Sequence, residues 1–233
     1  MVLRTLLVWV IGVPVTIVLF FAILVSAPIW KADAVHSIAR LWCRIILILG
    51  GVKVIVKGKQ NIPRDETVVF ISNHQGAFDI PALQAVIPLS FRWVAKKSLF
   101  NIPFFGWSMT FAGYVSIERE NAQSAGRSLV AAIKKIKSGT SVVIFPEGTR
   151  SDTGVLLPFK RGGVTLASKS GVRAIPIAIT GTKGIMKRGS LKIHPATIRI
   201  TFGAPIETKG VDEEQLRNYI RNAIAELLEK ETT

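Results

Sequence analysis

Apolar residues are distributed differently in the first 51 residues than in the rest of the chain. Residues 6–30 carry no charge, and a second apolar stretch covers residues 38–51. From residue 52 onward, short apolar runs of strand length alternate with longer stretches whose apolar positions recur with a helical period. The pattern predicts a membrane-anchoring segment, residues 1–51, followed by a globular domain, residues 52–233.

The first apolar run predicts a helix long enough to cross a membrane. At 1.5 Å per residue, residues 6–30 match a bilayer core of about 30 Å. Gly12 and Pro14 weaken this helix, and Pro28 is expected to end or bend it. Val25-Ser26-Ala27 resembles a signal-peptide cleavage site, but the length of the run and the adjacent Pro28 favour an uncleaved anchor.

The second run, residues 38–51, is only about 21 Å long as a helix. Arg40 and Arg44 lie one turn apart on the same face. This pattern is typical of a helix that lies in the membrane interface with its arginines among lipid phosphates. We therefore expect a two-helix hairpin embedded mainly in one leaflet, with a single spanning helix as the alternative.

The globular domain has the pattern of an α/β fold. Several of its short runs are apolar throughout, as expected of strands that are covered on both faces. The predicted strands span residues 53–57, 67–72, 91–95, 113–117, 141–145, 174–179 and 197–202, and the predicted helices span residues 81–86, 122–137, 163–169 and 212–230. The alternation predicts a central, mostly parallel or mixed sheet of about seven strands flanked by helices, preceded by the apolar two-helix anchor.

The charge balance narrows the classes of partner. Lys and Arg total 30 against 15 acidic residues, for a net charge of +15. Such an excess suits nucleic acid, an anionic membrane or phosphorylated substrates. Because 49% of the residues are hydrophobic and the aromatic residues are not interleaved with the basic ones, nucleic-acid binding is the weakest of these. Cys43 is the only cysteine, which excludes intrachain disulfides and zinc sites built on several cysteines; no metal or cofactor is required.

A histidine and an aspartate follow the second predicted strand. His74 comes directly after it, and Asp79 precedes Ile80-Pro81, so that Asp79 is a candidate helix N-cap on the same strand-to-helix turn. An imidazole and an orienting carboxylate are what the activation of a hydroxyl group requires. The chain has no Gly-x-Ser-x-Gly nucleophile motif. We therefore predict that the nucleophile arrives with the substrate.

A second candidate segment, residues 145–150, closes the apolar run 142–145 and reads Phe-Pro-Glu-Gly-Thr-Arg. Its arginine, Arg150, suits a phosphate because a guanidinium group offers a planar, bidentate fork. Lys96 and Lys160 can add point charges, and backbone amides near Gly148 are candidate donors to an oxyanion. Glu147 is expected to orient Arg150 or a substrate hydroxyl.

These segments resemble, in order, the motifs of the glycerolipid acyltransferase family. The matching stretches are Asn73-His74-x4-Asp79, residues 95–107, Val115-Ser116-Ile117-Glu118-Arg119, residues 145–151 and Ile175-Pro176-Ile177. The similarity covers roughly residues 65 to 180. One departure is Glu118, where the family more often has aspartate.

The resemblance implies a function for the chain. It implies transfer of an acyl group from a thioester, carried on acyl carrier protein or coenzyme A, to the free hydroxyl of lysophosphatidate. It also implies that His74 is the general base, assisted by Asp79 without an acyl-enzyme, and that Arg119 contacts the acceptor phosphate. The other substrate-binding candidates are Glu147, Gly148, Thr149, Arg150, Lys96 and Lys160.

The same reading places residues 52–233, as the catalytic domain, on the cytoplasmic side of an anionic cell membrane. Two alternatives stay open: a related acyltransferase acting on glycerol 3-phosphate or another lysolipid, and a non-catalytic membrane protein that binds anionic lipids. The His74–Asp79 pair favours an enzyme, since binding alone requires cations but no base.

Overall fold

The computed structural model describes residues 1–27, 29, 31–118 and 121–232. Its strands are β1 (Lys53–Lys57), β2 (Val69–Ser72), β3 (Phe91–Lys96), β4 (Val115–Ile117), β5 (Ser141–Ile144), β6 (Ala174–Thr180) and β7 (Thr197–Phe202). They form one sheet in the order β1-β7-β6-β2-β5-β3-β4. All neighbours are parallel except β6 and β7, which are antiparallel. The predicted mixed, seven-stranded α/β sheet is confirmed.

The helices cover both faces of this sheet. They are α1 (Val2–Val10), α2 (Gly12–Ser26), α3 (Ala32–Leu49), α4 (Asp79–Val86), α5 (Lys97–Phe100), α6 (Phe105–Phe111), α7 (Ala122–Lys137), α8 (Arg161–Ser170) and α9 (Glu213–Thr232). The predicted strands and helices of the globular domain agree with these bounds to within two residues at each end. Helices α5 and α6 are additional.

Strand β2 lies at the centre of the core because its side chains are buried on both faces. Phe70 packs in a cluster with residues of α3 and α4, whereas Val69 and Ile71 point to the opposite face and pack with α7, α8 and α9. This two-sided burial is what a nearly continuous apolar strand predicts. It holds the turn that follows β2 at a fixed place between the two helical layers.

The first apolar run is divided into α1 and α2 at Ile11. Pro14 lies in the first turn of α2, where a missing N–H group costs no intrahelical hydrogen bond. Together the two helices form an apolar segment, Val2–Val25, with a mean hydropathy of 2.8 that is long enough to cross a membrane. Pro28, which we expected to end or bend the helix, lies outside the described residues.

Helix α3 is longer than predicted, and one of its arginines is not where we expected it. Arg40 is half-buried and donates hydrogen bonds to the backbone oxygens of Gln84, at 3.2 Å, and Leu89, at 2.8 Å. The prediction that it lies among lipid phosphates is wrong, because the last turn of α4 and the loop after it accept its hydrogen bonds. Arg44 is exposed.

A second polar contact ties the start of α3 to the sheet. Asp33 accepts a hydrogen bond from the buried Arg92 of β3, with 2.6 Å between the nitrogen and oxygen atoms, and another from Ser90. These bonds hold the pKa of Asp33 below its ordinary value. Helix α3 is therefore fastened directly to the sheet domain.

Candidate active site

The candidate side chains lie where parallel strands end. His74 follows β2 by two residues, Lys96 is the last residue of β3, and Gly148 follows β5 by four residues. Because β2, β3 and β5 are neighbours in the parallel part of the sheet, their carboxyl ends share one edge. In open α/β sheets this edge is where ligands bind.

His74 and Asp79 are in direct contact. The distance from His74 Nδ1 to Asp79 Oδ2 is 2.5 Å, and the side chains are 14% and 0% exposed. Asp79 Oδ2 also accepts the backbone N–H groups of Gln75, at 2.6 Å, and Gly76, at 2.9 Å. With Nδ1 bonded to the carboxylate, Nε2 is the ring nitrogen left to accept a proton.

The structure corrects the expected helix cap. Helix α4 begins at Asp79 itself, and Phe78 occupies the cap position. The Asp79 carboxylate bonds backward to the turn before the helix instead of capping α4. Its Oδ2 atom thus holds the turn that carries His74.

Asn73, to which the sequence assigned no role, fixes this turn to the neighbouring strand. Its side-chain amide donates to the backbone oxygen of Ile179 at 2.9 Å, and its oxygen accepts the Ile179 N–H at 2.8 Å. On the other side, a Cβ atom on Gly76 would lie 2.6 Å from the backbone oxygen of Thr182. Glycine is therefore required there by the close approach of the two chains.

Aromatic rings cover one face of the His74 imidazole. Phe145 stacks on it with ring centroids 4.0 Å apart and planes at 11°, and Trp93 stacks behind Phe145 at 5.6 Å. Trp93 is held in turn by a 2.7 Å hydrogen bond from its Nε1 to the buried Gln84. Sequence reasoning missed Trp93 and Gln84, and the position of Phe145 directly before the Pro-Glu-Gly turn was the one available signal for a role in the site.

Glu147 binds two backbone amides, and among the described residues it makes no ion pair with Arg150. Its Oε1 accepts the N–H of His74 at 2.7 Å, and its Oε2 accepts the N–H of Leu157 at 3.0 Å. Burial raises the pKa of Glu147, an effect that the two amide hydrogen bonds oppose. Ser151 N–H donates to the oxygen of His74 at 2.8 Å, so both backbone groups of His74 are bound by the loop after β5.

The same loop determines which of the backbone amides near Gly148 can donate a hydrogen bond to an oxyanion. Gly148 has a φ of 70°, and its N–H closes a turn onto the oxygen of Phe145 at 3.1 Å. That amide is therefore already in use. The next amide, that of Thr149, has no backbone or side-chain acceptor within the described residues.

The predicted cations are placed as follows. Arg150 is half-buried, Lys160 is exposed, and Lys96 lies in the wall of the same cavity as His74. The guanidinium group of Arg150 makes no hydrogen bond or ion pair with the residues that the structure describes. Arg119, the predicted phosphate ligand, lies outside the described residues.

A cavity of about 480 Å³ joins this site to the N-terminal helices. His74 and Gly148 line it near the strand ends, whereas Phe20 of α2, Trp42 of α3 and Met109 of α6 contribute apolar walls. Its size lies in the range of small-molecule sites, and its lining is mostly apolar. No group of His, Cys, Asp and Glu side chains suited to a metal ion occurs among the described residues.

Residues 53–180 match the acyltransferase family, and this range contains every candidate described above. A chloroplastic 1-acyl-sn-glycerol-3-phosphate acyltransferase of Arabidopsis thaliana is 38% identical over 83% of this chain and 54% of its own length. The enzyme of the same name from Borreliella burgdorferi is 32% identical over 82% of this chain and 77% of its own length.

The fold is shared with a solved structure. The 1-acyl-sn-glycerophosphate acyltransferase PlsC of Thermotoga maritima superposes with a TM-score of 0.78 at 26% identity, covering 96% of this chain and 97% of that one. This chain spans about half the length of several plant relatives that it matches. On the extent of the family match and of the similarity to these relatives, the chain belongs to the acyltransferase family.

Proposed function

We propose that this protein transfers a fatty acyl group from an acyl thioester to the sn-2 hydroxyl of 1-acyl-sn-glycerol 3-phosphate, giving phosphatidic acid. The observation that carries the proposal is that His74, paired with the buried Asp79, lines a large apolar cavity. The relatives described above bear the name of this activity. A base in a chain that has no Gly-x-Ser-x-Gly nucleophile motif suits a reaction in which the acceptor supplies the hydroxyl group.

The chemical step follows from the hydrogen bonds of His74. Nε2 takes the proton from the acceptor hydroxyl while its oxygen forms a bond with the thioester carbonyl carbon. Asp79, bonded to Nδ1, fixes the tautomer and stabilises the imidazolium ion. When the carbon–sulfur bond breaks, the imidazolium returns the proton to the thiolate, and the protein is never acylated.

The remaining candidates bind substrate. In the proposal the acyl chain lies in the cavity, and the acceptor phosphate lies near Arg150, Lys96, Lys160 and Arg119. The amide of Thr149 replaces that of Gly148 as the donor to the oxyanion, since the Gly148 N–H is bonded to Phe145. The acyl donor is carried on acyl carrier protein or coenzyme A, and no cofactor takes part.

The protein acts at an anionic membrane in this proposal, with residues 1–51 as the anchor and the catalytic domain, residues 52–233, on the cytoplasmic side. One supporting observation is the loop beside α1. Trp9 Nε1 donates to the oxygen of Leu191 at 2.8 Å, and Ile193 N–H donates to the hydroxyl of Thr5 at 2.9 Å. The basic residues of this loop, Lys187, Arg188 and Lys192, are thereby held next to an apolar helix. This arrangement suits anionic headgroups.

The test compares acceptors and a matched pair of variants. Purified protein is offered lysophosphatidate and glycerol 3-phosphate, each with acyl carrier protein and coenzyme A thioesters, and the acylated product is quantified. His74→Ala should lower kcat at least ~100-fold, while His194→Ala, at an exposed histidine, should not. Preference for glycerol 3-phosphate would move the protein to the related acyltransferases, and turnover unaffected by His74→Ala would remove the mechanism.

A further inference from the structure

The segment between β3 and β4 exposes apolar side chains that lie outside the proposed anchor. We name this surface the α5–α6 apolar patch. Its members are 37–58% exposed, and they are Leu99, Ile102, Phe104, Phe105, Trp107 and Phe111. Soluble proteins rarely leave so many large apolar side chains of one segment uncovered, and a patch of this kind marks a contact with another apolar surface.

The patch is continuous with the membrane-length helix segment. Phe20 of α2 meets Phe104 edge to face with ring centroids 5.1 Å apart, and Trp107 lies 6.4 Å from Phe20. Phe104 and Trp107 also contact each other at 5.2 Å. The three rings join α2 to α6. An apolar environment that surrounds the exposed side of α2 would therefore also contact the patch.

The backbone of Phe104 has a strained conformation with a positive φ angle. Its φ is 65° and its ψ is −56°, the one positive φ of a non-glycine residue in the described chain. The N–H of Phe105 bonds to the oxygen of Pro103 at 2.7 Å, which makes this the rare and strained form of the γ-turn. A Cβ atom on Gly106 would lie 2.1 Å from the oxygen of Phe100, so only glycine fits where the start of α6 packs against the end of α5.

The strained turn brings the patch to the cavity. Leu99, Phe104 and Phe105 belong both to the exposed patch and to the cavity wall, so a thin apolar layer separates the cavity from the surroundings of α6. Lys97, the first residue of α5, is exposed and pairs with Glu118 at 3.4 Å. Apolar side chains bordered by a lysine match the change from acyl chains to headgroups at a membrane surface.

We infer that the α5–α6 apolar patch inserts into the acyl-chain region of the same leaflet as α1 and α2. This inference rests on the membrane placement proposed above and adds a second membrane contact, supplied by the catalytic domain itself. The α6 wall of the cavity then faces lipid, and the domain is oriented by two apolar surfaces that Phe20, Phe104 and Trp107 join. The occupant of the patch is lipid and not a protein, because the patch adjoins the segment Val2–Val25, which contains α2 and has the length and hydropathy of a membrane helix.

The first test measures depth by fluorescence quenching in the full-length protein. Cys43→Ala provides a cysteine-free background, and single cysteines replace Ile102 in the patch, exposed Ile17 on α2 and exposed Val130 on α7. Each is labelled with bimane and reconstituted into phosphatidylcholine–phosphatidylglycerol vesicles whose acyl chains carry bromine. The label at Ile102 should be quenched like that at Ile17, and the label at Val130 should not.

The outcomes separate this inference from the proposal on which it rests. Quenching at Ile17 with none at Ile102 would overturn the inference and leave the anchor in place. No quenching at Ile17 or Ile102 would remove the membrane placement itself. Ile102 is suitable because it belongs to the patch but not to the cavity lining.

A second test uses activity and needs no label. The double variant Ile102→Ser/Phe111→Ser removes two patch side chains that do not line the cavity, and Val130→Ser is the matched control. With long-chain lysophosphatidate in vesicles, the double variant should raise the apparent KM about tenfold. With a dispersed short-chain acceptor its KM and kcat should stay those of the parent protein. An equal loss with both acceptors would assign the patch to folding and contradict membrane insertion.

Discussion

The imidazole of His74 is constrained on several sides at once. Its Nδ1 edge is bonded to Asp79, one face lies against Phe145, and its backbone N–H is bonded to Glu147. A side chain held in this way can exchange a proton only at Nε2, without first having to be oriented. This is the arrangement that a general base requires when the hydroxyl group is brought by the substrate.

The stacked ring supports a prediction about turnover. Phe145→Leu keeps an apolar side chain but removes the face on which His74 lies, and aromatic stacking is worth about 0.5–1.5 kcal/mol. We expect kcat to fall up to about tenfold, by that free energy, with little change in the KM of the acceptor. Phe145→Tyr should restore turnover; if it is no better than leucine, the ring has only a packing role.

Glu147 gives a second prediction at this scale. In Glu147→Gln, one of the two acceptor oxygens becomes an NH₂ group that faces a backbone N–H, so a buried donor loses its partner. The free energy of unfolding should fall by about 1–3 kcal/mol, and kcat should fall because His74 is no longer held. Denaturant unfolding and steady-state kinetics measure both quantities. Glu214→Gln, at an exposed glutamate, is the control, and an equal change in the two variants would refute the assignment.

Among the elements, α3 makes several buried or half-buried polar contacts that the periodicity of the sequence did not indicate. Its His36 is buried, and the amide of Gln84 donates to the His36 backbone oxygen at 3.2 Å. Burial, together with the positive charges of Arg92 and Arg40, lowers the pKa of His36 to about 3, and the charge of Asp33 opposes this effect. His36 is therefore neutral in the folded protein over most of the acidic range.

The sign of the resulting pH dependence follows from proton binding. The unfolded chain protonates His36 below its ordinary pKa of 6.5, whereas the folded chain does not until about pH 3. The folded state thus loses stability as the pH falls from 6.5 towards 3, by up to about 1.4 kcal/mol per pH unit and by about 2 kcal/mol at pH 5. His36→Gln should remove this part of the slope in denaturant unfolding at pH 7 and pH 5 in detergent. An unchanged difference between the two pH values would contradict it.

Features that depend on neighbouring residues in the sequence could be predicted, whereas features that depend on contacts between distant segments could not. The strands were predictable because β2, β5 and β6 are apolar runs buried on both faces. Helix α6 was not, since it begins after a strained turn at Phe104 that packing against α2 holds. The contact between His74 and Asp79 could be predicted because both lie on one strand-to-helix turn. The contacts of Glu147 could not, because its partners are backbone amides brought near by the folding of two separate loops.

At the scale of the whole molecule, the N-terminal helices are part of the cavity and not only an attachment. Ile23 of α2 is buried against Val35 of α3 and Ala112, and all three line the cavity. The apolar N-terminal helices and the sheet domain therefore share one apolar interior. Changes in α2 should affect substrate binding as well as membrane attachment.

A comparison within α2 tests this arrangement. Ile23→Ala removes part of the cavity wall and should cost about 2 kcal/mol or more of stability while raising the KM of the acyl donor. Ile17→Ala, at an exposed position of the same helix, should leave both nearly unchanged. Thermal unfolding and donor kinetics in one detergent provide the measurement. If Ile23→Ala changed stability and the KM of the acyl donor as little as Ile17→Ala does, α2 would have no part in the cavity.

Cys43 has a chemical consequence that follows from its place in α3. Every proposed turnover liberates a carrier with a free sulfhydryl, which under oxidising conditions can form a mixed disulfide with a protein thiolate. Cys43 is the only sulfhydryl of the chain, and burial raises its pKa far above neutrality. The reactive thiolate is thus withheld, and the protein should keep its activity in oxidised glutathione while its product accumulates.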